Sequence, residues 1–470
     1  MAGQTAQDRL RTRPDFVAFW TAFTVSSFGT YVTTLAIQVL VVVTLHEGAA
    51  EVGLVNAARW LPYLLFGILV GALVDRVRRR PVLVAADLGR GLLLVAIPVL
   101  ALLDALSVWM LAGFMVCFGL LSVAGDAASQ SFLPRLVPRP LLTAANARLD
   151  TSDAAAQASG PALAGALVGL LTAPWAVLVD AGSYLASALL LMRVRVVEPP
   201  RRRVTLQGLG GELAQGLRWV YRHRTLTPYA LGNHAWFLVN AAAGAVVPVF
   251  ALRTLGLSAL GFGALVACAG VGAVAGSLAA TRLAHGFGVG RTVVAGTLGT
   301  AAGWALVTAA GDLGPVWLLF GAGQLLVGLS MGAQNASEMS YRQVVTPDEL
   351  QGRTNATVRS VNRAMIVIGA PLAGLLADGV GTRYVLAGAA TGFVLVALVL
   401  ACTPYRTARL DDPYALALHP PGQPVQPGQP VQPEQPEPRP APESQEWSTG
   451  GCPGATRTST PSPRRREGRS

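Results

Sequence analysis

The sequence predicts an all-α membrane protein whose twelve transmembrane helices form two pseudo-symmetric halves of six helices each. The first observation is composition: 52% of the 470 residues are hydrophobic and 13% are charged, whereas a soluble domain has about 25% charged residues. The second is a succession of long apolar runs, and the third is an internal repeat. Together they favour a polytopic membrane protein built by duplication.

Twelve runs reach the length of about 20 mostly apolar residues that a bilayer-spanning helix needs. They cover residues 16–45, 51–74, 82–103, 107–129, 143–171, 174–193, 225–252, 257–282, 292–311, 314–340, 353–378 and 382–403. Each run is predicted to be one transmembrane helix, and we number the predicted helices in this order.

Polar segments divide these runs into domains. The predicted domains are a cytoplasmic N-terminus (1–15), an N-terminal six-helix half (16–195), a cytoplasmic linker (196–224), a C-terminal six-helix half (225–403) and a disordered Pro-rich cytoplasmic tail (404–470). Within the linker, residues 209–222 predict an amphipathic helix on the membrane surface. The tail contains the repeat GQPVQPGQPVQP, which favours extended, disordered chain.

Arginine placement predicts the orientation. Arginines are frequent in the N-terminal segment and in every second connection, whereas the alternate connections carry only Arg253 and Arg383. By the positive-inside rule, both termini are expected in the cytoplasm of a bacterial cell, with the protein in its cytoplasmic membrane. The net charge of +11 is spread over these loops, so no nucleic-acid partner is expected.

An internal repeat relates residues 137–167 to residues 346–376 at a constant offset of 209. The matched pairs are Pro138 with Pro347, Leu141 with Leu350, Asn146 with Asn355, Gly160 with Gly369 and Gly165 with Gly374. The repeat implies a duplicated six-helix unit. A transporter with two such parallel halves is expected to place its substrate site near the midplane between them.

Charged residues inside predicted helices are candidates for function, because a charge at mid-bilayer costs at least about 2.5–3.5 kcal/mol. Asp126 lies nine residues before Arg135, about 13 Å deep, and is expected either to contact a proton or substrate or to form a structural pair. Glu338 lies four residues before Arg342. It is expected at the interface, where it reaches water, with proton or substrate contact as the alternative.

The other intramembrane charges are either candidate proton or substrate contacts, which are Asp150, Asp153, Arg359 and Arg363, or structural charges. Asp150 and Asp153 share a face of helix 5, and Arg359 and Arg363 share a face of helix 11; Arg363 could bind a carboxylate or pair structurally. Asp87 and Arg90, three residues apart, are expected to satisfy each other. Arg59 and Asp180 are expected to be structural, with partners that the sequence does not name.

Two motifs resemble those of the major facilitator superfamily. GALVDRVRRR, after helix 2, matches a family motif at Gly71, Asp75, Arg76, Arg79 and Arg80, with Arg78 where the family has Gly. GPALAG (Gly160, Pro161 and Gly165) resembles the motif of proton-coupled exporters on helix 5. Four further segments, GLVNAARWLP, ADLGRGLLL, DAASQSFLPRLVPRPLLTAANARL and LVDAGSYLASALLL, resemble the subfamily that holds macrolide-efflux and enterobactin-export permeases.

This resemblance implies roles for particular residues. Asp75 would dock at the start of helix 11, near Gly352 and Arg353, and stabilise the outward-open state, which fits a carboxylate at a helix N-terminus. Helices 1, 4, 7 and 10 would line the cavity. Their polar and aromatic residues are candidate substrate contacts, with packing or hydrogen bonding between helices as the alternative for each: Ser27, Tyr31, Thr34, Gln38, Asn233, His234, Trp236, Asn240, Gln324, Gln334 and Asn335.

The resulting hypothesis is a secondary exporter of an amphipathic drug, macrolide, siderophore or metabolite that works by alternating access in exchange for protons. An uptake permease or facilitator without proton coupling is one alternative, and a receptor or scaffold that acts through its Pro-rich tail is another. The sequence has no Walker A loop or HExxH motif, so an enzyme is not expected. The expected partners are the substrate, protons and the bilayer. No cofactor or metal is expected, and the protein is expected to be a monomer.

Overall fold

In the part of the chain that the structure describes, twelve long α-helices occupy the positions of the twelve apolar runs. The computed structural model describes residues 10–74, 76–196 and 209–410, and within them no strand occurs. The helices are α1 (Pro14–Val39), α2 (Ala49–Val74), α3 (Arg79–Leu102), α4 (Val108–Leu136), α5 (Leu142–Leu171), α6 (Ala173–Arg193), α7 (Leu226–Val249), α8 (Ala259–Phe287), α9 (Val289–Ala309), α10 (Val316–Val345), α11 (Asp348–Val380) and α12 (Thr382–Ala401). The predicted all-α fold is confirmed.

The helices have the length and surface of membrane spans. Within the described ranges, eleven are long and apolar enough to cross a bilayer; α2 is not among the eleven, although it has 26 residues. Large apolar side chains lie on the outside of the bundle, such as Leu170 at 82% exposure and Leu278 at 77%. An outer surface of this kind is typical of contact with lipid.

The helix ends repeat between the halves. Helices α1 and α7 both continue into a π-helical turn, Leu40–Thr44 and Phe250–Thr254. Thr172 joins α5 to α6 with φ of 75°, and Gly381, at the repeat offset, joins α11 to α12 with φ of 99°. Both connections therefore use the left-handed region, which glycine adopts without strain and threonine does not.

The packing of the helices repeats as well. In the N-terminal half, α1 packs on α5 and α6, α2 on α4, and α3 on α4 and α6. In the C-terminal half, α7 packs on α11 and α12, α8 on α10, and α9 on α10 and α12. Each of these contacts in one half has its counterpart in the other, as a duplicated six-helix unit requires.

The main contacts between the halves are a symmetry-related pair, α2 with α11 and α5 with α8; α2 also contacts α7. A Cβ added to Gly165 would lie 2.6 Å from the carbonyl oxygen of Ala259, and one added to Gly374 would lie 2.5 Å from the Cα of Ala50. The two glycines thus let the helix backbones meet. Both contacts lie toward the bundle end that holds the α1–α2 connection. We call the other end, where α1 begins and α12 ends, the terminal end.

The linker helix, Leu209–Arg222, forms as predicted, but it packs against the C-terminal half through α11. Its Val220 is buried, and a Cβ on Gly216 would lie 3.0 Å from the carbonyl oxygen of Arg353. One face of the helix is therefore used for packing on protein. The rest of the predicted linker, residues 197–208, lies outside the described residues.

The predicted start of the tail needs correction. Residues 404–410 belong to the C-terminal half: Pro404–Thr407 forms a 3₁₀ turn, and the Tyr405 ring is fully buried. Its centroid lies 5.5 Å from that of Tyr229 and 5.6 Å from that of Tyr341. Burial of the Tyr405 ring holds this segment against the C-terminal half. The prediction considered the proline content of the segment and not its aromatic residue. Residues 411–470 lie outside the described residues, so the disorder expected of them stays a prediction.

Candidate functional site: a polar cavity in the N-terminal half

A cavity of about 380 Å³ lies within the N-terminal half and is lined by all six of its helices. It reaches from the middle of the bundle toward the terminal end, where Phe19, Leu83 and Leu191 line it. Its charged lining residues are Arg59, Asp87, Arg90, Asp126 and Asp153. The cavity is therefore rich in ionisable groups for a site inside a membrane bundle.

Asp126 on α4 is exposed to this cavity. The hydroxyl of Tyr63, on α2, donates a hydrogen bond of 2.6 Å to its Oδ2 atom. On α11, in the other half, Arg363 lies over the same tyrosine, with its Cζ atom 4.2 Å from the ring centroid. The structure thus places Asp126 at the hydroxyl of one aromatic ring and Arg363 over the face of the same ring.

Asp87 and Arg90 on α3 form the expected ion pair. The hydroxyl of Ser187 donates a hydrogen bond of 2.5 Å to the second carboxylate oxygen of Asp87. Arg90 also lies 4.4 Å from the ring centroid of Tyr184, whose hydroxyl is 2.7 Å from that of Thr30. Both charges are satisfied within the half, which supports a structural role.

Arg59 and Asp180 have partners in the structure that the sequence did not indicate. Arg59 donates a hydrogen bond of 2.8 Å to the hydroxyl of Thr34, and its guanidinium lies 5.4 Å from the ring centroid of Phe118. Asp180, fully buried on α6, accepts a hydrogen bond of 2.7 Å from Ser183.

The two acidic residues predicted on α5 differ in position. Asp153 lines the cavity and accepts a long hydrogen bond of 3.5 Å from Tyr31 of α1. Asp150 is exposed outside the cavity lining, and so is Arg359, its counterpart in the repeat. Of these four candidate residues, Asp153 therefore lines the cavity, and Arg363 lies at the interface between the halves.

Glu338 on α10 differs from the prediction. We expected an interfacial residue that reaches water, but the side chain is only 7% exposed. Its Oε2 atom accepts a hydrogen bond of 2.9 Å from Asn233 and one of 3.3 Å from Tyr229. Glu338 is close to Arg342 in sequence, but its side chain is on the side of α10 that faces the other helices. It therefore lies between helices and does not reach water.

A chain of hydrogen bonds connects Glu338 to the linker helix. The amide of Asn362 donates to Asn233 at 2.6 Å, and Asn362 Oδ1 lies 2.6 Å from His234 Nδ1. A carbonyl oxygen only accepts, so Nδ1 donates and Nε2 of the neutral imidazole is left to accept. The hydroxyl of Tyr221 lies 2.9 Å from that Nε2 atom. Every donor in this series thus points toward Glu338.

The remaining predicted contact residues lie at different places. Gln38 lines a smaller cavity of about 40 Å³ beside Arg59. Trp236 is buried, with its ring centroid 5.9 Å from that of Phe393, which indicates packing. Asn240 is half-buried on α7, and Asn335 is exposed on α10.

The motif after α2 is only partly within the described residues. Asp75 lies outside them, so its docking near Gly352 and Arg353 stays a prediction. Gly71 has open space around it. Arg80 donates a hydrogen bond of 3.1 Å to the carbonyl of Leu191 at the end of α6. Arg76 and Arg79 flank the turn into α3.

The GPALAG motif on α5 lies at helix contacts. Gly160 faces α1, where an added Cβ would lie 2.5 Å from the Cβ of Tyr31, and Gly165 faces α8 in the other half. Pro161 lies between them, and its carbonyl approaches Gly263 of α8. The motif therefore lies where α5 contacts both its own half and the other one.

Sequence reasoning missed Trp60 and Tyr63. Their ring centroids are 5.3 Å apart, and both line the cavity. They lie on α2, a helix that was not expected to line the cavity. Their spacing of three residues from each other, next to the charged Arg59, is the signal that could have indicated one shared inward face.

Comparison with known proteins agrees with the fold. Residues 10–426 match the family model described as transmembrane secretion effector. An uncharacterized MFS-type transporter of Sinorhizobium fredii is 30% identical over 276 residues, which are 58% of this chain and 66% of the relative. The multidrug efflux pump Tap of Mycolicibacterium fortuitum is 26% identical over 377 residues, 78% of this chain and 90% of the pump.

Solved structures with the same fold include the nucleoside transporter NupG, with a TM-score of 0.66 at 11% identity over 83% of this chain and 98% of that protein. A bacterial homologue of the iron transporter ferroportin has a TM-score of 0.64 at 17% identity over the same shares. The resemblance noted in the sequence is thus confirmed. The chain belongs to the major facilitator superfamily of membrane transporters, in the family described as transmembrane secretion effectors.

Proposed function

We propose that this transporter exports an amphipathic small molecule from the bacterial cytoplasm by alternating access, in exchange for protons. The observation that carries the proposal is the carboxylate of Asp126, exposed to a cavity inside the bundle and held there by Tyr63. An ionisable residue at such a place is costly and marks a functional site in membrane proteins. Relatives named as multidrug efflux pumps support the same direction and substrate class.

The lining of the cavity suits an amphipathic molecule. Aromatic rings (Phe23, Trp60 and Tyr63) lie beside hydroxyl groups and carboxylates. Binding sites for small molecules generally combine apolar walls with a few well-placed polar groups. A drug, a macrolide, a siderophore or a metabolite with both kinds of surface fits this description.

The arrangement of the halves supports alternating access. Their contacts through Gly165 and Gly374 lie toward one end of the bundle, whereas the cavity extends toward the terminal end. With the termini in the cytoplasm, as the arginine distribution favours, the cavity faces the compartment from which an exporter takes its substrate. Rocking of the two halves would then open the opposite end.

Asp126 is the proposed coupling group. When it is ionised, it can hold a substrate through charge and hydrogen bonding, and when it is protonated it cannot. Exchange follows if a proton entering from outside displaces the substrate, and a substrate entering from the cytoplasm displaces the proton. The hydroxyl of Tyr63 keeps the carboxylate in one position during this exchange.

Inside-out membrane vesicles with an acidic interior test the proposal. A pH-sensitive dye reports proton loss as macrolides, lipophilic cations and siderophores are added in turn. We expect at least one compound to collapse the gradient with the wild-type chain and not with Asp126→Asn. Asp104→Asn is the matched control, because Asp104 is an exposed acid in the α3–α4 connection with φ of 52°, a conformation that Asn accepts.

Two results would contradict the proposal. If labelled compounds equilibrate across the vesicle membrane while none in the panel moves protons, the protein is a facilitator and the coupling is wrong. If Asp126→Asn exchanges protons at the wild-type rate, the coupling group lies elsewhere.

A further inference from the structure

We infer that Trp60, Tyr63 and Asp126 form a binding site for an organic cation, which the guanidinium of Arg363 occupies in this structure. The inference rests on the proposed function, since it names the chemical class of substrate for the same cavity. It follows from the geometry of two rings, one carboxylate and one arginine that belongs to the other half of the protein.

The two rings form an aromatic platform on α2. Trp60 and Tyr63, three residues apart, share one face of the helix, with ring centroids 5.3 Å apart and planes tilted by 47°. Both line the cavity. The faces of Trp and Tyr rings carry negative electrostatic potential and attract cations, with Trp the strongest of the aromatic side chains.

A cation already lies on this platform. The Cζ atom of Arg363 is 4.2 Å from the ring centroid of Tyr63 and 5.7 Å from that of Trp60, both within the range of about 6 Å for a cation–π contact. Arg363 comes from α11, so this contact also joins the two halves. The side chain is half-buried, which leaves room for exchange with the cavity.

Asp126 supplies the opposite charge. It accepts its hydrogen bond from the neutral phenol of Tyr63, which orients the carboxylate and does not neutralise it. The other acid–base pair of the cavity, Asp87 with Arg90, is already satisfied by its own ion pair. Arg59 also lies at the platform, with its Cζ atom 6.0 Å from the ring centroid of Trp60, and Thr34 holds its guanidinium in place. A cation that replaces Arg363 leaves this charge balance unchanged and lies near the carboxylate that contacts the platform, that of Asp126.

A lipophilic cation that enters the cavity would compete with Arg363 for the two ring faces. Its apolar groups would lie against the rings, and its charge would replace the guanidinium. Displacement of Arg363 removes a contact between α2 and α11, so binding of the cation would loosen the halves at this point. A neutral molecule of the same shape would gain little at the platform.

Binding of tetraphenylphosphonium to the purified full-length chain in detergent tests the inference by calorimetry. Removing the competing cation with Arg363→Gln is expected to lower its Kd about threefold to tenfold, the change that loss of one cation–π competitor produces. Tyr63→Leu and Trp60→Leu are each expected to raise the Kd. Neutral triphenylphosphine oxide should bind Arg363→Gln and the wild type equally.

Arg282→Gln is the matched control, because Arg282 is exposed at the end of α8 and its loss removes the same charge outside the cavity. This control should leave the Kd of tetraphenylphosphonium and the Kd of triphenylphosphine oxide unchanged. Arg363→Met removes the charge with a different side chain and decides the outcome if Arg363→Gln is poorly folded. An unchanged or higher Kd for tetraphenylphosphonium in the Arg363 variants overturns the inference, as does equal tightening of the neutral probe.

These outcomes are separable from the proposed function, because binding in detergent needs no proton gradient. A wild-type chain that binds tetraphenylphosphonium with the expected dependence on Arg363 and exchanges no protons supports the cation site and contradicts proton coupling. A chain that exchanges protons for other compounds and does not bind tetraphenylphosphonium supports the proposed function and overturns the cation site.

Discussion

The hydroxyl of Tyr63 donates a hydrogen bond of 2.6 Å to the carboxylate of Asp126, which joins α2 to α4 across the cavity. Hydrogen bonds to charged groups are shorter and stronger than those between neutral groups. The ring of the same tyrosine carries Arg363 of the other half. One side chain therefore contacts both the proposed coupling carboxylate and a residue of the other half.

Replacement of Tyr63 by phenylalanine separates these two contacts. Tyr63→Phe keeps the ring under Arg363 and removes the hydrogen bond, which contributes about 1.5–3 kcal/mol when one partner is charged. We expect the initial rate of substrate-induced proton exchange in vesicles to fall severalfold. Tyr384→Phe, at an exposed tyrosine of α12, should exchange at the wild-type rate. Equal rates in Tyr63→Phe and wild type would show that the hydrogen bond has no part in coupling.

The glycine contacts between halves predict a symmetric pair of defects. Gly165→Ala and Gly374→Ala each place a Cβ against backbone of the other half, and overpacking of this kind costs about 1–3 kcal/mol. Both substitutions should disfavour the conformation seen here. They should favour one in which the halves separate at the bundle end that holds the α1–α2 connection. Spin labels on the α1–α2 and α7–α8 connections would report the change as a longer distance.

Gly182→Ala is the control for these variants, because an added Cβ on this α6 glycine meets nothing within 4 Å. Its distance distribution should match that of the wild type. A wild-type distribution in both interface variants would mean that the halves do not separate at these glycines.

The hydrogen-bond series from Glu338 predicts coupling between residues that do not touch. Tyr221→Phe removes the first donor and Glu338→Gln removes the charge at which the series ends. In a double-mutant cycle on the free energy of unfolding in mixed micelles, we expect a coupling energy of about 0.5–3 kcal/mol.

Tyr221→Phe combined with Thr308→Val provides the control cycle, because the Thr308 hydroxyl bonds only locally, to the carbonyl of Trp304. The two changes should add within about 0.5 kcal/mol. Additivity in the Glu338 cycle as well would refute transmission along the series.

His223, between the linker helix and α7, predicts a pH-dependent stability. Its Nδ1 atom accepts hydrogen bonds from the backbone amides of Thr225 at 3.3 Å and Leu226 at 3.2 Å. Burial lowers the pKa of His223 below its ordinary value of 6.5. The folded state thus binds this proton less readily than the unfolded state, so the stabilisation is complete above about pH 6.5 and is lost as the pH falls below it.

His223→Asn tests this dependence, because an Asn side-chain oxygen accepts the same amide hydrogen bonds and does not titrate. Between pH 8 and pH 5.5, the apparent Tm of the wild type should fall more than that of the variant. His285→Asn, at an exposed histidine on α8, should retain the wild-type slope. Parallel curves for His223→Asn and wild type would assign the pH dependence to other groups.

Much of the fold follows from the sequence alone. Twelve apolar runs lead to twelve helices, and the pairs Gly160 with Gly369 and Gly165 with Gly374 identify equivalent helix contacts before any coordinate is known. The tail boundary was set too early, because proline content indicates extended chain and does not show that the Tyr405 ring is buried between Tyr229 and Tyr341.

The site was less accessible to sequence reasoning. Depth along a helix can be counted, which identified Asp126, but the direction of a side chain around the helix depends on tertiary packing. Glu338 therefore proved buried where interfacial exposure was expected. Tyr63 and Trp60 carry no charge, and their spacing beside Arg59 indicates a shared face without showing what they contact. The contact of Tyr63 with Asp126 and of both rings with Arg363 comes from the structure.

The proposed coupling role of Asp126 is tested most directly by transport of one labelled compound, chosen because it collapses the gradient in the dye assay. Its accumulation is measured in inside-out vesicles with an imposed acidic interior and the membrane voltage clamped to zero. The wild type and Asp104→Asn should accumulate the compound above its external concentration, and Asp126→Asn should only equilibrate it. Accumulation by Asp126→Asn at the wild-type level would contradict the assignment of this carboxylate as the coupling group.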